Sequence, residues 1–110
     1  MNRQNCNSLY AKIYMAGNID IAKQSCRKFC YEKGLCINIY QTNYIYTGGE
    51  EVGFCIESIN YPRFPVEEKE LFDTMIDLGM IVMQDCSQLS FTVMSNNNCI
   101  NFSRKDEIKR

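Results

Sequence analysis

The residues of this chain that could do chemistry are carboxylates, arginines, tyrosines, asparagines and thiols, because the chain has no histidine. That absence removes a Ser-His-Asp triad, a Cys-His nucleophile pair, a histidine general base and a histidine metal ligand. The sharpest local motif is Gly48-Gly49-Glu50-Glu51. Its backbone N–H groups suit a phosphate and its carboxylates suit a metal, but the carboxylates repel the phosphate, and neither a Walker-type Lys-Ser/Thr nor a dinucleotide-binding glycine pattern follows. A plain glycine turn beside solvated acids fits equally. The second motif is Tyr61-Pro62-Arg63-Phe64-Pro65. Two prolines lower the entropy lost on ordering this loop, and Tyr, Arg and Phe on a rigid loop suit the stacking of a base and the pairing of a phosphate. The plain alternative is a connector whose aromatic rings plug the edge of the core.

Three separate basic sites, Arg27 with Lys28, Arg63, and Arg104 with Lys105, are candidates to converge on one anion. Near the C-terminus, Phe91, Asn97, Asn98, Asn101 and Phe102 offer rings to stack on a base and amides to read its edge. The strand tyrosines Tyr40, Tyr44 and Tyr46 suggest a sheet face or an aromatic-lined interface. Taken singly, each basic residue reads first as an ordinary surface charge, and the asparagines as turn residues.

The chain has 110 residues, 45% of them hydrophobic, which fits one domain with a modest core. With 12 Lys and Arg against 13 Asp and Glu, the net charge is −1, so no overall field draws it to duplex DNA or to an anionic membrane. No apolar run reaches the roughly 18 residues of a membrane span. Seven cysteines, none in a C-x-x-C pair, are an odd number without a secretory leader ahead of them. They read as reduced, mostly buried residues of a cytoplasmic protein, and with no histidine a structural metal is not expected. No cofactor is implied.

The elements that position these groups follow from periodicity. Residues 8–15 read as a first strand, broken at Ala16-Gly17-Asn18. A helix over 19–33, capped by Asn18 or Asp20 and ended by Gly34, carries Ala22, Cys26, Phe29, Cys30 and Lys33 on one face. Residues 35–41 read as strand, with a bend at Thr42-Asn43 and further strand over 44–47. Gly48-Gly49 turns the chain into a strand over 51–59, with Val52, Phe54 and Ile56 on one face and Cys55 on the other. A helix over 66–84 carries a stripe of Leu71, Phe72, Met75, Ile76, Gly79, Met80 and Met83. A strand over 88–95 places Leu89, Phe91 and Val93 together, Asn96-Asn97-Asn98 turns, and residues 99–102 pair back. Residues 1–7 and 105–110 read as loose ends. The order β-α-β-β-α-β predicts an α+β domain, ferredoxin-like or related, with an antiparallel sheet, two helices and an extra C-terminal strand. The methionine-rich second helix and the small size favour a homo-oligomer with ligand sites between chains.

At Tyr44-Ile-Tyr-Thr-Gly-Gly-Glu-Glu-Val-Gly53 and Ile59-Asn-Tyr-Pro-Arg-Phe-Pro65 the chain resembles small phage and prophage proteins of the first Thoeris anti-defence family. The resemblance spans the middle of the chain, from the first helix through the proline loop. It implies a phage-encoded cytoplasmic sponge that sequesters a cyclic ADP-ribose isomer without cleaving it, so the defence effector is never triggered. It further implies a dimer or dimer-based hexamer with recessed pockets, in some members with a second site for cyclic oligonucleotides. Family pockets use arginine, an aromatic ring and asparagine, which by residue type point to Arg27, Arg63, Phe91, Asn101 and Arg104, with Phe64 from the loop. The expectation is therefore a ligand binder that is not an enzyme. The alternative is a protein-binding inhibitor of a host defence nuclease, of anti-restriction or anti-CRISPR type, using Glu50-Glu51 and Glu67-Glu68 as phosphate mimics. An enzyme built on Glu50, Glu51 and Asp73 is the third reading.

Overall fold

A computed structural model of the chain describes residues 1–105. The elements run β1 (Tyr10–Ala16), α1 (Ile19–Lys33), β2 (Asn38–Tyr46), β3 (Gly49–Ile59), α2 (Glu68–Asp85), β4 (Ser90–Ser95) and β5 (Cys99–Ser103). All five strands join one antiparallel sheet in the order β2-β3-β1-β4-β5. The first four strands have the ferredoxin-like arrangement expected from the sequence, and β5 extends its β4 edge. The expected loose tail over 105–110 falls, beyond Lys105, outside the described residues.

Both helices pack on one side of the sheet. The core between the layers holds Ala11, Ile13 and Met15 of β1, Phe54 and Ile56 of β3, and Phe91 and Val93 of β4. Against them lie Ala22, Cys26 and Phe29 of α1 and Leu71, Phe72, Met75, Leu78, Val82 and Met83 of α2. Strand alternation makes this possible, since successive side chains point to opposite faces.

Helix α1 begins where Asn18 Oδ1 accepts from the N–H groups of Asp20 and Ile21, at 2.8 and 3.2 Å. It ends where Gly34 takes φ 71°, the left-handed conformation a side chain disfavours, and donates back to the Cys30 carbonyl. Ser25 Oγ donates to Asp85 Oδ2 at 2.6 Å and ties the two helices.

Four details differ from expectation. β2 runs unbroken through Thr42-Asn43, because these residues pair with Gly53 and Val52 of β3. Only Gly48 of the glycine pair has a positive φ, 88°, and Gly49 already begins β3. The buried stripe of α2 includes Leu78 and Val82 and leaves Met80 partly exposed, so the helix is rotated toward the aliphatic residues. Leu89 precedes β4 and is exposed. At the N-terminus, Cys6 Sγ donates to the Asn60 carbonyl and Asn60 Nδ2 donates to the Asn7 carbonyl at 2.9 Å, so this end is tied to the loop after β3.

Candidate functional site

Because both helices cover one side of the sheet, the other side lies open, and the register decides what it displays. On β1 the residues alternating with the core set are Tyr10, Lys12 and Tyr14. Tyr14 pairs with Cys55, Lys12 with Glu57 and Ala16 with Gly53. On β2 the matching positions are Asn38, Tyr40, Thr42, Tyr44 and Tyr46, which pair with Glu57, Cys55, Gly53, Glu51 and Gly49. On β4 and β5 they are Ser90, Thr92 and Met94 with Ser103, Asn101 and Cys99. Five of the seven tyrosines (Tyr10, Tyr14, Tyr40, Tyr44 and Tyr46) therefore share this face with Glu51 and Glu57.

Tyr44 is the anchor. Its hydroxyl donates to the Phe54 carbonyl at 2.5 Å and accepts from the Met15 N–H at 3.2 Å, and Met15 and Phe54 are directly paired residues of β1 and β3. A hydroxyl thus sits in the ladder between two strands. Gly53 makes this possible, since a Cβ there would meet the Tyr44 ring at 2.6 Å and the Ala16 Cα at 2.8 Å. Burial pushes the Tyr44 phenol up to about 12, so it remains a neutral group at any ordinary pH.

Glu57 is the most engaged carboxylate. Its oxygens accept from Asn38 Nδ2 at 3.0 Å and from the Tyr40 hydroxyl at 3.4 Å, and Lys12 Nζ lies 3.9 Å away. Lys12 also lies 5.3 Å from the centre of the Tyr10 ring. A hydrogen bond with Cys55, with burial and Glu57 adding to it, raises the Tyr40 phenol, and burial raises the Cys55 thiol beneath it. Beside this cluster a cavity of about 480 Å³ opens at the β1–β4 end of the face. Tyr14, Tyr44, Glu51, Gln88, Thr92 and Asn101 are among its walls. Thr92 Oγ1 donates to Asn101 Oδ1 at 3.0 Å, and Asn101 borders the cavity.

The residues singled out from the sequence fall in three places. Asn101 and the Phe91 backbone border the open-face cavity, but the Phe91 ring is 2% exposed and stacks on Phe102 at 5.2 Å in the core. Arg104 follows β5, and its N–H donates to the Leu89 carbonyl at 2.7 Å. Arg63 and Phe64 border a separate cavity at the far end of the sandwich. Arg27 is exposed on α1, beside a third cavity bordered by Cys26, Cys30 and Cys36. The three arginine sites thus do not share one cavity. Tyr10, Tyr14, Lys12 and Glu57 were not singled out, although strand alternation in β1 and β3 carries the signal for them. All seven thiols are free, and no cluster among the described residues has the make-up of a metal site.

No protein-family model matches the chain, and no curated protein matches it. Two solved structures do. A phage SAM lyase in its apo state superposes with a TM-score of 0.76 at 16% identity, covering 96% of each chain. A phage SAM lyase in complex with S-methyl-5'-thioadenosine superposes with a TM-score of 0.64 at 14% identity, covering 94% of this chain and 95% of that one. The expectation that the chain is not an enzyme is corrected by this finding, since both neighbours are lyases by name. Lack of histidine does not exclude catalysis, because carboxylates, lysine and tyrosine can also move protons.

Proposed function

We propose that this chain is a phage-type lyase acting on S-adenosylmethionine (SAM), and that its site is the open tyrosine face. The carrying observation is the set of tyrosines with Glu51 and Glu57 on a sheet face that no helix covers, in a fold shared end to end with SAM lyases.

SAM is a sulfonium cation. When the bond from sulfur to the amino-acid fragment breaks, the electron pair stays on sulfur and the nucleoside leaves as a neutral thioether, S-methyl-5'-thioadenosine. The fragment restores its own valence internally: a carboxylate oxygen closes on the vacated carbon as its bond to sulfur breaks, so the carboxylate's negative charge is consumed as the sulfonium's positive charge is lost. No water and no enzyme nucleophile enter the balance. Positive charge disappears along this path, so a site of low polarity favours the transition state over the bound cation. Ring faces do this while still attracting the sulfonium.

Tyr14 and Tyr44 supply those faces at the cavity, and Tyr40 and Tyr46 extend them. Glu51 accepts from the ribose hydroxyls or the substrate ammonium. Asn101, Thr92 and Gln88 offer amide and hydroxyl groups to the adenine edge. Glu57, held by Asn38 and Tyr40, orients the tyrosines instead of touching the reacting atoms.

A second copy of the chain would cover the open face and close the site, so the working form is a homo-oligomer. Exposed Ile45 and Val52 lie on the other, helix-side face of the β2–β3 hairpin and mark a separate place where a second copy can dock. A cyclic ADP-ribose isomer, the ligand implied by the sequence resemblance, belongs in the same assay. Purified protein is incubated with SAM or with that isomer, and the small molecules are read by mass spectrometry. Conversion of SAM to S-methyl-5'-thioadenosine, with the isomer neither retained nor altered, supports the reading. Intact SAM alongside tight retention of the isomer overturns it.

A further inference from the structure

The largest of the three cavities is not on the tyrosine face. It has a volume of about 880 Å³ and opens at the opposite end of the sandwich, between the end of α1, the start of α2 and the loop after β3. That volume is within the range of small-molecule sites. Its apolar floor includes Leu35, Ile59, Val66 and Leu71.

The loop that roofs it is built stiffly. Asn60 is buried and bonds at both ends of the loop: its N–H donates to the Leu9 carbonyl at 2.9 Å, and its Oδ1 accepts from the Val66 N–H at 2.8 Å. Within the loop, the Phe64 N–H donates to the Tyr61 carbonyl at 2.8 Å. This turn, with Pro62 and Pro65 on either side of Arg63-Phe64, holds two side chains out from the fold. Phe64 is 73% exposed, which core packing does not explain. The Arg63 guanidinium lies 5.7 Å from its ring centre.

Charge around the cavity is unbalanced toward free cations. Arg63 and Lys33 both border it, and among the described residues neither is paired with a carboxylate. Helix α2 starts at this wall, where the carboxylates Glu68 and Glu70 of its first turn already answer its positive dipole end, so the attraction for an anion rests on Arg63 and Lys33. Glu70 on the same wall accepts a donor group. Tyr61 stays a neutral phenol, because a hydrogen bond with the Cys36 thiol, together with burial, pushes it up to about 12.

We propose that this cavity is a second small-molecule site, taking a planar ring that carries one anionic group and one N–H or O–H donor. The ring lies against Phe64 and the apolar floor, Arg63 and Lys33 hold the anion, and Glu70 accepts the donor. The site is independent of any lyase activity.

Adenosine 5'-monophosphate is the probe, since it has all three features. Adenosine lacks the anion and inorganic phosphate lacks the ring. The full chain is titrated with each and followed by amide NMR. The expected result is saturable shifts at Leu35, Cys36, Tyr61, Arg63, Phe64 and Glu70 with the monophosphate, and binding at least roughly tenfold weaker with either fragment. Arg63→Gln and Phe64→Ala, both exposed and so safe for folding, each weaken binding roughly tenfold. Glu51→Gln, on the tyrosine face, leaves it unchanged. The proposal is overturned by shifts confined to Tyr14, Tyr44 and Asn101, by phosphate alone binding as well as the monophosphate, or by no saturable shift.

Discussion

Single side chains on the open face do two jobs, and Tyr44 shows both. Its ring lines the cavity and its hydroxyl joins Met15 to Phe54. Tyr44→Phe removes the hydroxyl and keeps the ring. The two backbone groups then lose a partner, at a cost of about 1 kcal/mol after partial re-pairing, read from the midpoint of urea unfolding. Titration gives a second prediction at this scale. Burial raises Tyr44 from 10.0 to about 12, and burial, with the neighbouring Cys30 and Cys86 thiols, raises Cys26 from 9.0 to about 12. In each case the folded state holds the proton more tightly than the unfolded state. Their stabilisation is complete below about pH 9 and is lost as the pH rises toward 12. Unfolding midpoints measured from pH 8 to pH 12 should fall across that window, and Cys26→Ala should flatten the early part of the fall.

The absence of histidine bears only on reactions that need an imidazole proton relay near neutral pH, so by itself it does not separate a binder from a lyase. Glu57 could not be singled out from the sequence. A glutamate in a strand carries no motif, and its partners Asn38, Tyr40 and Lys12 come from two other strands.

Elements were legible wherever the local signal was strong. Asn18 and Gly34 bracket α1, and its observed span of Ile19–Lys33 matches the span read from the sequence. The β2–β3 hairpin and the return of β5 were readable from alternation and turn residues. The phase of α2 was less so, because Met80, Leu78 and Val82 are all apolar and only packing against Phe91 and Val93 selects among them. Which sheet face stays open is not a local property, since it depends on where both helices dock. The scattered arginines show the same limit: spacing along the chain does not report that Arg27 and Arg63 border different cavities.

Gly53 is where element geometry can be tested. Gly53→Ala drives a methyl group into the Met15 carbonyl, the Ala16 backbone and the Tyr44 ring, in the buried middle of three strands. Backbone cannot give way as a flexible side chain can, so a loss of roughly 2–3 kcal/mol is expected from urea unfolding. Asn18→Ala removes a cap that bonds two N–H groups and should cost about 1 kcal/mol by the same measurement.

At the scale of the whole molecule, the layout separates its surfaces by role. Helices seal one side of the sheet, the tyrosine face occupies the other, and the proline loop roofs a cavity at one end. The β2–β3 hairpin leaves Ile45 77% and Val52 56% exposed. A two-stranded ribbon with aliphatic residues in water gains from a partner. Ile45→Lys is expected to shift the protein toward smaller species in sedimentation velocity without lowering the stability of the single chain.

Cleavage of SAM at the tyrosine face is what we propose for this molecule. Its most direct test is to incubate the purified chain with SAM and follow S-methyl-5'-thioadenosine by mass spectrometry, beside Glu51→Gln and Arg63→Gln. The expected result is steady formation of the thioether, a loss of roughly tenfold or more in kcat/KM in Glu51→Gln, and an unchanged rate in Arg63→Gln. SAM recovered intact from the unaltered chain, or a rate that falls with Arg63→Gln and not with Glu51→Gln, would contradict it.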